Sequence, residues 1–191
     1  MKRTTALQIT VTGCCIAINI IGAFIALSLK LPIYLDSIGT ILTGALLGPF
    51  FGIATGCLSG VISGMTSDVY AFYFMPVGAV VGLMAGILFN TSWFHKLKIP
   101  IGTLLLTIPG TIVSSCISAF VFGGISSSGS SLIIQILRHV GLNLIESAFI
   151  VQFLTDYADR LISVGIVCLV VSRLTIQFKL SLRNRKAHGT L

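Results

Sequence analysis

The sequence predicts an all-α integral membrane protein with six transmembrane helices and both termini in the cytoplasm. Three observations predict it. First, 55% of the 191 residues are hydrophobic and only 9% are charged, with a mean hydropathy of +1.04. Soluble domains carry about 25% charge, and a chain this poor in charge cannot cover itself with a water-compatible surface. Second, apolar segments alternate with short polar breaks along the whole chain. Third, the charges sort to opposite sides of those segments. Lys2, Arg3, His95, Lys96, Lys98, Arg173, Lys179, Arg183, Arg185 and Lys186 gather at the start, one middle loop and the tail. Asp36, Asp68, Glu146, Asp156 and Asp159 fall in or beside the other loops, with Lys30, Arg138 and Arg160 as their basic company. Basic loops stay in the cytoplasm, which fixes the expected orientation and leaves the acidic face outside.

The elements follow in order. A first helix over about 6–29 is longer than a signal-peptide core and has no Ala-x-Ala site after it, so it reads as retained. Lys30-Leu31-Pro32 ends it. Segments of about 36–47 and 50–64 flank the break at Gly48-Pro49, and both are short for the roughly 20 residues a span needs. Such segments tilt, kink or pack inside the protein, which suggests a cavity reaching into the membrane. The loop 65–70 follows, then a helix over about 74–92 with Pro76 in its first turn. A basic turn at 95–100 leads to a helix over about 101–122, and the last helix covers about 158–177. The chain therefore divides into one membrane domain, 1–178, and a basic cytoplasmic tail, 179–191.

The stretch 123–157 is harder to place. Its start, 123–131, is a Gly/Ser-rich connector. Then 132–155 is apolar in bulk yet carries Gln135, Arg138, His139, Asn143, Glu146 and Gln152. Charged groups at the bilayer centre cost about 2.5–3.5 kcal/mol each on insertion scales. This segment therefore lies at the outer interface or folds inward with those groups facing a cavity. Counting it as a seventh span would put the two basic ends on opposite sides.

Glycine recurs at helical spacing: Gly13 with Ala17, Gly22 with Ala26, Gly52-Gly56-Gly60-Gly64 and Gly78-Gly82-Gly86. Such faces let helices approach closely in lipid, within the chain or against another membrane subunit. The five cysteines lie inside apolar segments without metal spacing, and no metal or other cofactor is expected. There is no His-Glu-x-x-His, Gly-x-Ser-x-Gly or phosphate-binding glycine loop, so no catalytic residues are assigned and an enzyme is not expected. The net charge of +7 sits mostly in cytoplasmic flanks, where retention signals and anionic headgroups account for it; nucleic acid is not an expected partner.

The outer polar set forms the candidate binding site. It comprises Asp36, Ser37 and Thr40; Ser67, Asp68, Tyr70 and Tyr73; and Arg138, His139 and Asn143, with Glu146 nearby. Sites for small molecules are concave and mostly apolar, with a few placed polar groups and aromatic faces. Each residue also has a structural reading. Asp36 and Ser37 suit a helix cap, Tyr70 and Tyr73 an interfacial belt, and Arg138 and Glu146 a mutual pair or headgroup contacts.

The stretch from Ile33 to Gly52 contains Leu35-Asp36-Ser37-Ile38-Gly39-Thr40 and Leu47-Gly48-Pro49. It resembles the Leu-Asp-x-x-Gly-Thr … Leu-Gly-Pro signature of substrate-binding S components of energy-coupling factor (ECF) vitamin transporters. The specific part covers about 36–90, and the size and helix count fit along most of the chain. A similar signature occurs in membrane sensor domains. The resemblance implies a vitamin-capture subunit in the plasma membrane of a prokaryote. Such a subunit takes its ligand from outside, docks on a membrane scaffold protein with two ATPases, and topples to release it. Outer loops would roof the ligand, at 30–38, 64–75 and 123–157. The family's Ala-x-x-x-Ala contact with the scaffold maps onto Gly13 and Ala17, with Gly22 and Ala26 as a second pair. Pantothenate, using Arg138 and His139, and cobalamin, using the room left by 123–131, come first, and riboflavin, using the aromatics from Tyr70 to Phe74, comes next. The alternatives to this reading are a membrane ligand sensor and a stand-alone carrier.

Overall fold

The structure, a computed structural model, describes residues 6–91, 94, 98–123, 130–139 and 141–183. His95, Lys96, most of the 123–131 connector and the end of the basic tail lie outside the described residues. Among the described residues there are helices and no strands. They run α1 (Ala6–Ser28), α2 (Ile38–Leu47), α3 (Pro49–Thr66), α4 (Val69–Tyr73), α5 (Met75–Leu88), α6 (Ile99–Cys116), a π-turn (Ile117–Val121), α7 (Ser130–His139), α8 (Leu144–Arg173) and α9 (Ile176–Arg183).

Polar and apolar residues are distributed as lipid requires. Ile21, Phe24, Phe50, Phe120, Leu154 and Leu169 point outward, while Thr43, Thr55, Thr103, Thr107, Asp159 and Ser163 are buried. Threonine hydroxyls donate to the carbonyl one turn back, as Thr107 does to Thr103 at 2.8 Å, so they need no water. The apolar core lies between α2, α5, α6 and α8, around Ile41, Val81, Leu106 and Val164.

Among the described residues three helices are long and apolar enough to cross a membrane: α1, α3, and α6 extended through the π-turn; α8 with α9, bent by 107°, counts as a fourth if the pair is one broken span. Helices α2 and α5 are shorter, with 10 and 14 residues. At 1.5 Å per residue they reach about 15 and 21 Å, against about 30 Å of hydrocarbon. Against the six spans expected, the described residues give three to four candidates and two short apolar helices.

The glycine stripes explain how the short helices are held. A Cβ on Gly56 would strike the carbonyl of Gly78, and one on Gly82 would strike the backbone of Gly52. The stripes of α3 and α5 are spent on each other, backbone to backbone. Gly48, at φ 95°, ends α2 and hands over directly to Pro49 in the first turn of α3.

The largest departure from the sequence reading is α8. The expected final helix began at about 158; the structure starts it at Leu144. Its N-terminus is closed by a capping box. The Glu146 N–H donates to Asn143 Oδ1 at 2.9 Å, and the Asn143 N–H to Glu146 Oε2 at 3.3 Å. Thirty residues make a helix of about 45 Å. Asp156, Asp159 and Arg160 therefore sit near its middle, away from any loop of their own. Residues 176–183, expected as the end of the last helix and the start of the tail, turn back as α9. There the Gln8 side-chain amide donates to the Leu182 carbonyl at 3.0 Å.

Candidate functional site

A cavity of about 100 Å³ lies among α1, α2, α3, α5 and α8, beneath the α1–α2 loop and α4. That is room for roughly seven to ten water-sized groups.

One wall is organised by Asn19, a buried amide in the apolar helix α1. Its Nδ2 donates to Thr40 Oγ1 at 2.8 Å and to Ser59 Oγ at 3.0 Å, and its Oδ1 accepts the Gly39 N–H at 2.7 Å. One side chain thus joins three helices. Gly39 permits the joint, since a Cβ there would strike the Cys15 carbonyl. The Gly-Thr pair of the signature is the seam between α1 and α2.

The preceding residues are tied to α8. Leu35, at φ 51°, directs its N–H to Asp159 Oδ1 at 2.7 Å. Ser37 Oγ donates to Asp159 Oδ2 at 3.1 Å and accepts from Arg160 Nη1 at 3.0 Å. Its side chain makes no cap bond to α2, so the capping reading of Ser37 does not describe it. Arg160 Nη1 also lies 2.5 Å from Asp159 Oδ2 and 3.9 Å from Asp36 Oδ1. The Asp36 side chain is half open to the cavity, yet loss of bulk solvent pushes its carboxyl up to about 6. The Arg160 guanidinium opposes this shift, while Asp159 and Asp156 add to it.

The opposite wall is one face of α8. Gln152, Asp156 and Arg160 recur every four residues and all line the cavity. Asp156 Oδ2 accepts from Thr111 Oγ1 at 3.0 Å and from Ser114 Oγ at 2.9 Å, both on α6. Gln152 is 1% exposed, and neither its nitrogen nor its oxygen has a partner. Tyr34, Tyr70 and Phe74 add aromatic surface. Phe122 braces this side, with ring centroids 4.8 Å from Tyr70 and 6.1 Å from Phe74.

Of the residues expected at the site, Asp36, Ser37, Thr40, Ser67, Asp68 and Tyr70 line the cavity. Asp68 also caps α4, its Oδ1 accepting the Tyr70 N–H at 3.1 Å. Tyr73 packs on Phe122 at 5.2 Å and does not line the cavity. Arg138 and His139 are exposed at the end of α7, and Asn143 is the cap of α8; none of the three reaches the cavity. Sequence reasoning passed over Asn19, Gln152, Asp156 and Arg160. The spacing of the last three was visible, but placing the helix start at about 158 cut the face in two.

On α1, Gly13 and Ala17 are exposed, and nothing comes within 4 Å of a Cβ built on Gly13. Gly22 abuts the Leu35 carbonyl and Ala26 is buried, so that second pair is turned inward. Among the described residues no group of His, Cys, Asp and Glu could hold a metal ion.

A mostly apolar cavity with a few placed polar groups, walled by apolar membrane helices, defines a membrane-embedded small-molecule-binding protein. The particular family follows from a family model, the substrate-specific component of ECF transporters, which matches residues 7–171. The chain belongs to this family, whose members are substrate-binding subunits of transporters rather than catalysts. Neither the curated proteins nor the solved structures contain a match.

Proposed function

We propose that the chain captures a small water-soluble vitamin from the outer face of a prokaryotic plasma membrane. A separate module of scaffold protein and two ATPases then drives its delivery. The observation that carries the reading is the Gln152–Asp156–Arg160 face of α8, which meets the signature residues Asp36, Ser37 and Thr40 around one cavity. Membership of the ECF substrate-specific family supports capture as the task. In this reading α1, α2, α3, α5, α6 and α8 make six crossings, with α2 and α5 sunk among longer neighbours and both termini cytoplasmic.

The vitamins suggested by the sequence fare differently. The case for cobalamin rested on the 123–131 connector, most of which lies outside the described residues. The case for pantothenate rested on Arg138 and His139, which stand outside the cavity. Riboflavin keeps Tyr70 and Phe74 as stacking surfaces.

The test is to purify the chain from cells grown in rich medium, denature it and identify released small molecules by mass spectrometry. One vitamin per chain is expected. An empty protein that also fails to bind a vitamin panel would move the sensor reading ahead. Solute flux in liposomes without any ATPase would favour a stand-alone carrier.

A further inference from the structure

The charges of the cavity do not balance. Its lining holds three carboxylates, Asp36, Asp68 and Asp156, against one guanidinium, Arg160. The charge of that guanidinium is already countered, its Nη1 lying 2.5 Å from Asp159 and 3.0 Å from Ser37. Asp68 is occupied as the cap of α4. Asp156 is different. It is 2% exposed, its hydrogen bonds come from hydroxyls, and among the described residues no Lys, Arg or His lies within 4.0 Å, Arg160 acting on it only at longer range. A buried carboxylate with no cation in contact is costly, and a charge supplied by a ligand offsets that cost.

One turn away stands Gln152, buried and unpartnered at both polar atoms. Native proteins rarely leave such groups unmet, and an unmet amide at a cavity wall is placed to meet a partner from the cavity. Together the two side chains offer carboxylate and amide oxygens as acceptors, with one amide N–H₂ as donor. Tyr34, Tyr70 and Phe74 line the same space, and aromatic rings favour a cation over an anion.

Resting on the capture reading above, we propose that the cavity selects a small solute bearing a positively charged nitrogen and N–H donors, bound between Asp156 and Gln152. The N–H groups of the ligand donate to Asp156 and to Gln152 Oε1, and Gln152 Nε2 donates to an acceptor on the ligand. Asp36 lies at the same cavity and adds to the negative field. The one cation an anionic vitamin would meet among the described lining residues is Arg160, whose charge Asp159 and Asp36 already offset.

The experiment uses the full chain in lipid nanodiscs, titrated calorimetrically with thiamine and pyridoxamine as cations, riboflavin as a neutral probe and pantothenate as an anion. A cationic probe should bind at least about tenfold tighter than riboflavin or pantothenate, the size of one charge-assisted hydrogen bond. Asp156→Asn and Gln152→Leu should each weaken that binding by about tenfold or more. Comparable or tighter binding of pantothenate or riboflavin overturns the proposal, as do folded variants that keep full affinity. Where Asp156→Asn does not fold, Gln152→Leu and the charge of the molecule released from the wild-type chain decide. A released anion or neutral vitamin overturns the charge assignment alone and leaves vitamin capture standing. No released molecule and no binding by any probe overturns both.

Discussion

Asp159 and Arg160 are neighbours in sequence and salt-bridge partners in space, with Asp159 Oδ2 lying 2.5 Å from Arg160 Nη1. Consecutive helix positions point about 100° apart and do not normally meet. Here the α1–α2 loop completes the pair, since the Leu35 N–H and the Ser37 hydroxyl donate to Asp159 and Ser37 accepts from Arg160. The clamp orients Asp36 beside the guanidinium at 3.9 Å.

Breaking this pair should therefore loosen the fold as well as the site. Asp159→Asn keeps the shape and an oxygen for the Leu35 N–H but leaves Arg160 without its nearest countercharge. Removing one partner of a buried ion pair costs about 3–5 kcal/mol. The apparent melting temperature in detergent should fall by several degrees, and an unchanged value would show that Asp36 alone suffices as the counterion.

Two glycines of like sequence context should respond in opposite ways. Gly56→Ala places a methyl group on the Gly78 carbonyl and must push α3 from α5. Gly13→Ala places one where nothing lies within 4 Å. Thermal melting should show a clear loss for Gly56→Ala, in the roughly 1–3 kcal/mol range of overpacked cores. Gly13→Ala should melt as the wild type does. Equal behaviour would mean that the glycine stripes do not carry the α3–α5 contact.

The helical membrane character was legible because lipid imposes a coarse rule on composition. The Leu35–Thr40 segment was legible because its residues serve the seam between α1, α2 and α8 whatever the ligand. Gln152, Asp156 and Arg160 were obscured by the same rule. Polar residues in a membrane sequence read as loop or interface, whereas these are polar because they face inward from the middle of a helix of 30 residues. Asn143 and Glu146 pulled the same way. They are polar because they cap α8, and their pattern, Asn followed by Glu three residues later, marks a helix start. Weighing that signal would have extended the helix to 144 and restored the face.

Asp36 gives the fold a pH dependence of definite sign. Its carboxyl is raised from 3.8 to about 6, chiefly by desolvation, with Asp159 and Asp156 reinforcing and Arg160 opposing. The folded chain holds this proton more tightly than the unfolded chain. Stability from this group is therefore present below 3.8, declines as pH rises toward about 6, and is flat above that. The half-open side chain makes the effect modest. Melting curves from pH 4 to 7 should fall for the wild type relative to Asp36→Asn, and parallel curves would remove Asp36 as the source.

The exposed Gly13–Ala17 face of α1 is the proposed seat of the scaffold protein, and bulk placed there separates docking from capture. Since a Cβ on Gly13 meets nothing within 4 Å, Gly13→Trp and Ala17→Trp add volume outside the packed body and away from the cavity. Ligand binding by the purified variants should stay at the wild-type level. ATP-dependent uptake in cells supplying the scaffold and ATPases should be abolished, because close approach of helices in lipid depends on small residues at the crossing. Gly22→Trp is the contrasting control, because even its Cβ would strike the Leu35 carbonyl, so folding and binding should both fail. Loss of binding in folded Gly13→Trp and Ala17→Trp proteins would move the docking face elsewhere, since a site that only receives a partner has no reason to disturb a cavity on the other side of α1.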